Sequence, residues 1–134
     1  MWALVTGATS GIGAEFTKLL AKEHYNIILV ARDEIRLKKS AAELEKEFGV
    51  VTEIIVADLS VENEISAVEQ RLLTKDSSLA VGVLINSAGY GLKGRFIDVT
   101  SAAEVDLLNV LVTAILRLTH AALPNMRNAK SGYI

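Results

Sequence analysis

The sequence contains no cysteine, a single proline and few aromatic residues, which make up 5% of the chain. Without cysteine the protein cannot form disulfide bonds, use a thiolate nucleophile or build a zinc site on cysteine ligands. This absence is typical of proteins in a reducing compartment, so we expect a cytoplasmic protein. The sequence also lacks a basic cluster interleaved with aromatic residues, and its net charge is −2. We therefore expect no nucleic-acid partner.

Targeting and membrane segments are also not expected. The first apolar run begins almost at Met1, which leaves no room for a signal peptide before it. The longest apolar region, residues 105–123, contains Asp106 and Arg117 and is interpreted as a buried helix. A membrane-spanning helix needs about 20 predominantly apolar residues, so we expect no membrane partner.

The 134 residues do contain an alternation of short apolar runs with amphipathic segments. Apolar, β-branched runs predict strands at residues 3–6, 27–31, 50–57 and 81–86, and residues 132–134 predict the start of a fifth. Because these runs carry apolar residues on both faces, we expect the strands to be covered on both sides.

Segments with helical spacing of apolar residues separate the predicted strands. The inner face of the first helix is predicted to hold Ile12, Phe16, Leu19 and Leu20. A second helix, capped by Asp33, ends at Gly49, and a third covers residues 61–72. A fourth begins near Ser101, whose hydroxyl can cap it, and runs toward Pro124 or slightly beyond.

The alternation of strands and helices predicts an α/β fold. We expect a Rossmann-like, doubly wound parallel sheet with strand order 3-2-1-4 and the start of strand 5. Residues 1–134 are predicted to form a single nucleotide-binding domain. We expect that domain to be truncated, because the chain ends where a fifth strand begins.

The turn after the first strand is rich in glycine and is a candidate anion site. Glycine permits a sharp turn and a close approach of a ligand to the backbone. The following helix directs its free N–H groups and positive dipole end into the turn, and a pyrophosphate suits that position. A plain structural turn is the alternative. The predicted site comprises Gly7, Thr9, Ser10, Gly11, Ile12 and Gly13.

Three motifs occur in the order, and on the elements, that are typical of one family. They are the Thr6-Gly7-x-x-x-Gly11-Ile12-Gly13 turn, Asp58-Leu59 after the third strand, and Asn86-Ser87-Ala88-Gly89 after the fourth. With these motifs, essentially the whole sequence resembles the N-terminal half of a short-chain dehydrogenase/reductase. The resemblance implies an NADP(H)-binding oxidoreductase domain whose complete members transfer hydride between the nicotinamide and an alcohol or ketone.

Arg32 follows the second strand, where doubly wound folds meet the adenosine ribose. Ala31 stands where an acid would bind a free 2′-hydroxyl, whereas a guanidinium suits a 2′-phosphate. In the resembled family this pattern goes with NADP(H), and Ser10 is placed to assist. The alternative is a surface arginine that pairs with Asp33 or Glu34.

The resemblance also implies roles for the other two strand ends. Asp58, with Leu59 beside it, would accept a hydrogen bond from the adenine amino group, or it could only cap the third helix. Asn86, Ala88 and Gly89 would pass under the nicotinamide ribose. Asn86 is also expected to tie neighbouring strands together.

Catalysis in the resembled family uses a serine, a tyrosine and a lysine four residues after the tyrosine, and an asparagine on the fourth helix completes the proton path. No Tyr-x-x-x-Lys motif occurs here, because Leu29 follows Tyr25 and Gly94 follows Tyr90 at that spacing. Tyr133 has no residue at that spacing. We therefore predict no catalytic residue in this chain, and we predict no metal site.

The asparagine of the family is expected at position 111, counting back from Ala114 and Thr119, and this chain has Leu111 there. Asn109 is two residues away, a rotation of about 200° on an α-helix, so it cannot take the same role unless the helix is distorted. The asparagine is therefore predicted to be missing as well.

Two main hypotheses follow from these observations. The first is a cofactor-binding oxidoreductase domain that is inactive by itself. The second is a non-catalytic nucleotide-binding or interaction module. It would form a homo-oligomer or bind a partner chain through an exposed sheet edge and an apolar surface around Leu107, Leu108, Leu111 and Ile115. A third possibility is a fragment or a misread gene, which the DNA sequence beyond Ile134 would decide.

Overall fold

The computed structural model describes residues 1–134 and contains one parallel β-sheet. Its strands are β1 (Trp2–Thr6), β2 (Asn26–Ala31), β3 (Thr52–Val56) and β4 (Val81–Asn86). They lie in the order β3-β2-β1-β4, and every neighbouring pair is parallel. The predicted fold class and strand order are confirmed.

Five α-helices connect and cover the strands. They are α1 (Gly11–Lys22), α2 (Glu34–Phe48), α3 (Glu62–Leu72), α4 (Ser101–Leu108) and α5 (Ala114–Ala129). A π-helical turn, Asn109–Thr113, joins α4 to α5, so these three segments form one long helix with a local distortion. The sequence analysis predicted this helix without the distortion.

The sheet is buried on both faces, because alternate residues of each strand enter different clusters of apolar side chains. Leu4 of β1 packs in a cluster with residues of α3 and α5, such as Val68 and Leu118. Val5, its neighbour, packs on the other face in a cluster that includes Leu37 of α2. This double burial explains why the strands are mostly apolar.

The predicted inner face of α1 is wrong except for Leu20, which is half-buried against the core. Ile12 is 72% exposed and Leu19 is also exposed, whereas Gly13, Thr17 and Ala21 are the buried residues of this helix. These three small residues are four apart, so they share one helical face. Small side chains allow α1 to approach the sheet closely, which a face of leucine and phenylalanine would prevent.

The predicted capping residues are correct for α2 and wrong for the start of α4. Asp33 accepts a hydrogen bond from the Arg36 N–H, and Gly49 ends α2 in the left-handed conformation with φ 68°, as predicted. The cap of α4 is Thr100, whose hydroxyl accepts from the Ala103 N–H, and not Ser101. Ser101 is instead the first residue of the helix.

The interpretation of residues 105–123 as a buried helix is only half right. Ala114, Leu118 and Met126 on one face are buried against the sheet, but Leu108 and Leu116 on the other face are exposed. Ser101–Ala129 is long and apolar enough to cross a membrane by length and composition alone, a test that core helices of soluble proteins also pass. In its most apolar window, 28% of the residues are buried within the domain.

A short bridge marks the predicted start of strand 5. The Leu84 N–H donates to the Tyr133 carbonyl at 2.9 Å, and the Tyr133 N–H donates to the Gly82 carbonyl at 3.0 Å. The bridge between Val83 and Tyr133 is parallel, so the chain returns beside β4 in the direction of the other strands.

Candidate functional site

A cleft of about 200 Å³ opens at the carboxyl ends of the strands. This is the position where open α/β sheets bind ligands, outside the strand ends at the point where the strand order reverses. In this sheet the order reverses between β1 and β4. Eight of the predicted cofactor-binding residues line the cleft: Gly7, Thr9, Ser10, Arg32, Asp58, Leu59, Ala88 and Gly89.

The remaining four predicted residues do not line the cleft. Gly11 and Ile12 are exposed at the start of α1, and Gly13 is buried behind the turn. The Asn86 amide donates to the Thr119 hydroxyl at 3.4 Å, so its side chain reaches α5 and not a neighbouring strand. The backbone of Asn86 pairs with Thr6 of the neighbouring strand β1.

Two glycines in the turn are required by close contacts of the backbone. A Cβ atom on Gly7, which has φ +66°, would lie 2.8 Å from the Ser87 carbonyl oxygen. A Cβ atom on Gly13 would lie 2.3 Å from the Gly7 carbonyl oxygen. These distances are too short for any side chain, so the first turn of α1 lies directly against the glycine turn. The start of α1 therefore directly follows Gly7, Thr9 and Ser10, the residues of the turn that line the cleft.

Thr6, the first residue of the glycine-turn motif, has a role that the sequence did not indicate. Its hydroxyl accepts hydrogen bonds from the Ser87 and Ala88 N–H groups, each at 3.0 Å, and donates to the Ile85 carbonyl at 3.4 Å. Thr6 is 1% exposed. This hydroxyl holds the loop after β4 against the end of β1. A hydroxyl at the last position of a buried strand is the signal that could have identified it.

Arg32 lies across the mouth of the cleft. Its Nη1 atom is 3.7 Å from Oδ2 of Asp58, and its guanidinium lies 5.9 Å from the centre of the Tyr90 ring. Residues from the ends of β2, β3 and β4 thus meet around one cation. The alternative pairing of Arg32 with Asp33 or Glu34 is not observed.

Asp58 is held as a carboxylate by its neighbours. Its Oδ1 atom accepts from the Ser60 N–H at 2.9 Å and from the Ser60 hydroxyl at 2.8 Å. Burial raises the pKa of the Asp58 carboxyl, but the Ser60 hydrogen bonds and the Arg32 charge outweigh burial, so its pKa lies below the ordinary value. Asp58 does not cap α3, because the N-cap of that helix is Val61. Oδ1 of Asp58 is therefore occupied by hydrogen bonds within the loop, and Oδ2 faces Arg32.

Arg36 is a second arginine of the cleft that the sequence analysis missed. It lies in the first turn of α2 and donates from Nη2 to the Thr9 carbonyl at 2.8 Å. It lines the cleft together with Arg32, which is four residues earlier. The spacing of the two arginines at the start of a helix was the available signal.

Leu111 and Asn109 point to different neighbours. A Cβ atom on Gly89 would lie 3.0 Å from Cδ2 of Leu111, so Leu111 packs against the loop after β4. The Asn109 amide donates instead to the Ser60 carbonyl at 3.1 Å, on the side of α3. The helix is distorted at Asn109 and Leu111. Even so, Leu111 and not Asn109 occupies the position beside Gly89.

Comparison with known proteins agrees with this geometry. The family model described as short chain dehydrogenase matches residues 1–134. The chain belongs to the short-chain dehydrogenase family. It is 38% identical over 135 residues to a very-long-chain 3-oxoacyl-CoA reductase of Laccaria bicolor, covering 99% of this chain and 39% of that protein. It is 37% identical over 136 residues to the inactive hydroxysteroid dehydrogenase-like protein 1 of Homo sapiens, with 99% and 40% covered.

The chain is also similar to a solved structure, both in sequence and in fold. The short-chain dehydrogenase from Sphingobium yanoikuyae in complex with NADPH is 38% identical, with a TM-score of 0.90. The match covers 97% of this chain and 50% of that one. The chain thus spans about 40% of the length of the curated relatives. It contains four parallel strands of the family fold.

Replacing Thr6 tests the contact between β1 and the loop after β4. Thr6→Val keeps the shape of the side chain but leaves the half-buried N–H groups of Ser87 and Ala88 without this acceptor. We expect the free energy of unfolding, measured by urea denaturation, to fall by about 1–3 kcal/mol. Thr6→Ser keeps the hydroxyl and serves as the control, with a loss of about 1 kcal/mol or less. Equal stability of the valine and serine variants would contradict the role given to the hydroxyl.

Proposed function

We propose that this chain binds NADP(H) in the cleft at the carboxyl ends of its strands. It would do so as the cofactor-binding part of a short-chain dehydrogenase-type oxidoreductase. The observation that carries the proposal is the pair of guanidinium groups, Arg32 and Arg36, beside the glycine turn. Bound NADPH supplies a hydride for reduction of a carbonyl group, and the reverse reaction oxidises an alcohol.

The charges beyond β2 favour a 2′-phosphate over a free 2′-hydroxyl. Ala31 is the last residue of β2 and Arg32 follows it, so no acid stands at the end of the strand. The next acid along the chain, Asp33, is engaged as the cap of α2. Arginine presents several N–H donors in a fixed plane that suits phosphate oxygens. Arg32 would therefore hold the 2′-phosphate, with Arg36 and the Ser10 hydroxyl, which makes no capping hydrogen bond, beside it.

The other residues of the cleft suit the remaining parts of a dinucleotide. The glycine turn and the first N–H groups of α1 would hold the pyrophosphate. Asp58, kept ionised by its low pKa, would accept a hydrogen bond from the adenine amino group. Ala88 and Gly89 leave room for the ribose at the nicotinamide end. The solved relative in complex with NADPH supports this assignment.

Exchanging Arg32 tests the preference for the 2′-phosphate. We expect Arg32→Ala to weaken NADPH binding by about 10-fold to 100-fold, because a charge-assisted hydrogen bond is lost. NADH, which has no 2′-phosphate, should bind to the variant and to the unmodified chain with similar affinity. Isothermal titration calorimetry measures both affinities. Arg127→Ala is the matched control, since Arg127 lies in the last turn of α5 and lines no part of the cleft. Equal weakening of both nucleotides by Arg32→Ala would refute the assignment.

We further propose that these 134 residues do not catalyse hydride transfer alone, because they contain no Tyr-x-x-x-Lys motif. A catalytic tyrosine must exchange a proton with the substrate. The tyrosine of the cleft, Tyr90, lies beside the Arg32 guanidinium and has Gly94, not lysine, four residues later. We expect no oxidation of NADPH above the buffer rate when the chain is mixed with aliphatic or aromatic ketones. Absorbance at the nicotinamide band measures the rate. Steady turnover that persists after further purification would overturn this proposal.

A second candidate function is that of an interaction module. It is supported by an exposed apolar surface on the long helix, formed by Leu111, Val112, Ile115, Leu116 and Leu123. Large exposed apolar patches are typical of surfaces that associate with another chain. One relative is named as an inactive protein, which fits a role without catalysis. We propose that this surface is covered by a second copy or by a partner chain.

Light scattering on the purified chain tests self-association. We expect an oligomer that Leu116→Glu converts to a monomer, because burying an unpaired carboxylate in an interface is unfavourable. Leu19→Glu is the control, since Leu19 is similarly exposed, at 59% against 65%, but lies on α1. A monomeric unmodified chain, or the same response to both substitutions, would argue against association of two copies through this surface.

A further inference from the structure

The π-helical turn Asn109–Thr113 distorts the long helix beside the cleft. The Ala114 N–H donates to the Asn109 carbonyl, a step of five residues where an α-helix has four. Such turns insert one additional residue and are often found at functional sites. The next residue after Asn109, Val110, is buried and lines the cleft. The turn is therefore part of the cleft wall.

Both the nitrogen and the oxygen of the Asn109 side-chain amide form hydrogen bonds. Its Nδ2 atom donates to the Ser60 carbonyl at 3.1 Å, and its Oδ1 atom accepts from the Thr113 hydroxyl at 3.4 Å. Thr113 belongs to the same π-helical turn, so this second bond orients the amide. The first bond joins the turn to the loop between β3 and α3.

Hydrogen bonds of the loop between β3 and α3 connect Asn109 to the cleft. The Ser60 carbonyl is held by Asn109, and the Ser60 N–H and hydroxyl are held by Oδ1 of Asp58. The other oxygen of Asp58 lies 3.7 Å from Arg32. A continuous chain of polar contacts therefore runs from the π-helical turn to the adenosine end of the cleft.

We propose that Asn109 is a positioning residue for the adenosine end of the bound nucleotide. It does not line the cleft and acts through Ser60, which fixes the direction of the Asp58 carboxylate. Without the Asn109 amide, the Ser60 carbonyl has no protein donor and the loop loses its tie to the long helix. This inference rests on the proposed binding of NADP(H), and it adds a residue to that site.

Asn125 provides a matched control on the same long helix. Its Nδ2 atom donates to the Leu72 and Thr74 carbonyls, each at 3.0 Å, at the far end of α3. Asn109 and Asn125 thus tie the two ends of α3 to the helix that covers it. Only the end at Ser60 borders the cleft.

The test compares Asn109→Ala with Asn125→Ala by calorimetric titration with adenosine 2′,5′-bisphosphate, which represents the adenosine half of NADP(H). We expect Asn109→Ala to weaken its binding by about threefold to tenfold, the range of one lost hydrogen bond. Asn125→Ala should bind it as the unmodified chain does. Thermal unfolding of both variants should show a similar loss of stability, which separates positioning from general destabilisation.

The other possible results separate failure of the Asn109 role from failure of the proposed function. Unchanged binding by Asn109→Ala, or equal weakening by both variants, would overturn the role of Asn109 while leaving the proposed function intact. Failure of the unmodified chain to bind the bisphosphate or NADPH would instead refute the proposed function, and this inference with it. If Asn109→Ala does not fold, Asn109→Asp keeps the size of the side chain and removes its N–H donors. It should then show the same selective weakening, and normal binding by that variant would overturn the inference.

Discussion

The backbone of the turn after β1 lies directly against the backbone of the loop after β4. A side chain at Gly7 would collide with the Ser87 carbonyl, and the Thr6 hydroxyl holds the N–H groups of Ser87 and Ala88. On the other side of the turn, Gly13 brings α1 against the Gly7 carbonyl. The turn and the start of α1, which are adjacent in sequence, therefore meet the distant loop after β4 without intervening side chains. The remaining space is the cleft, and its shape depends on these contacts.

The charges of the cleft are arranged around this rigid centre. Arg32 and Arg36 are presented by the end of β2 and the first turn of α2, and Asp58 is presented by the end of β3. The loop that carries Asp58 is tied to the π-helical turn through Ser60 and Asn109. Elements on both faces of the sheet thus contribute to one site. This arrangement supports the proposed nucleotide site in a chain that spans only part of the family fold.

The sequence was sufficient to predict the strand order, the glycine turn and the position of the cleft, because these follow from local residue patterns. The buried face of α1 was not predictable from hydrophobicity, since close packing selects Gly13, Thr17 and Ala21 there and leaves Ile12 exposed. The π-helical turn was missed because its hydrogen bonds shift by one residue without a glycine or proline to indicate them. The polar chain through Ser60 was missed because it joins residues 49 positions apart.

The account rests on the claim that this chain forms a site for a nucleotide with a 2′-phosphate. Calorimetric titration of the unmodified chain with NADPH and with NADH, under identical conditions, tests that claim most directly. The arrangement of Arg32 and Arg36 predicts that NADPH binds more tightly by about tenfold or more, since a charge-assisted contact to the phosphate is gained. Equal affinities, tighter binding of NADH, or no binding of either nucleotide would contradict the account.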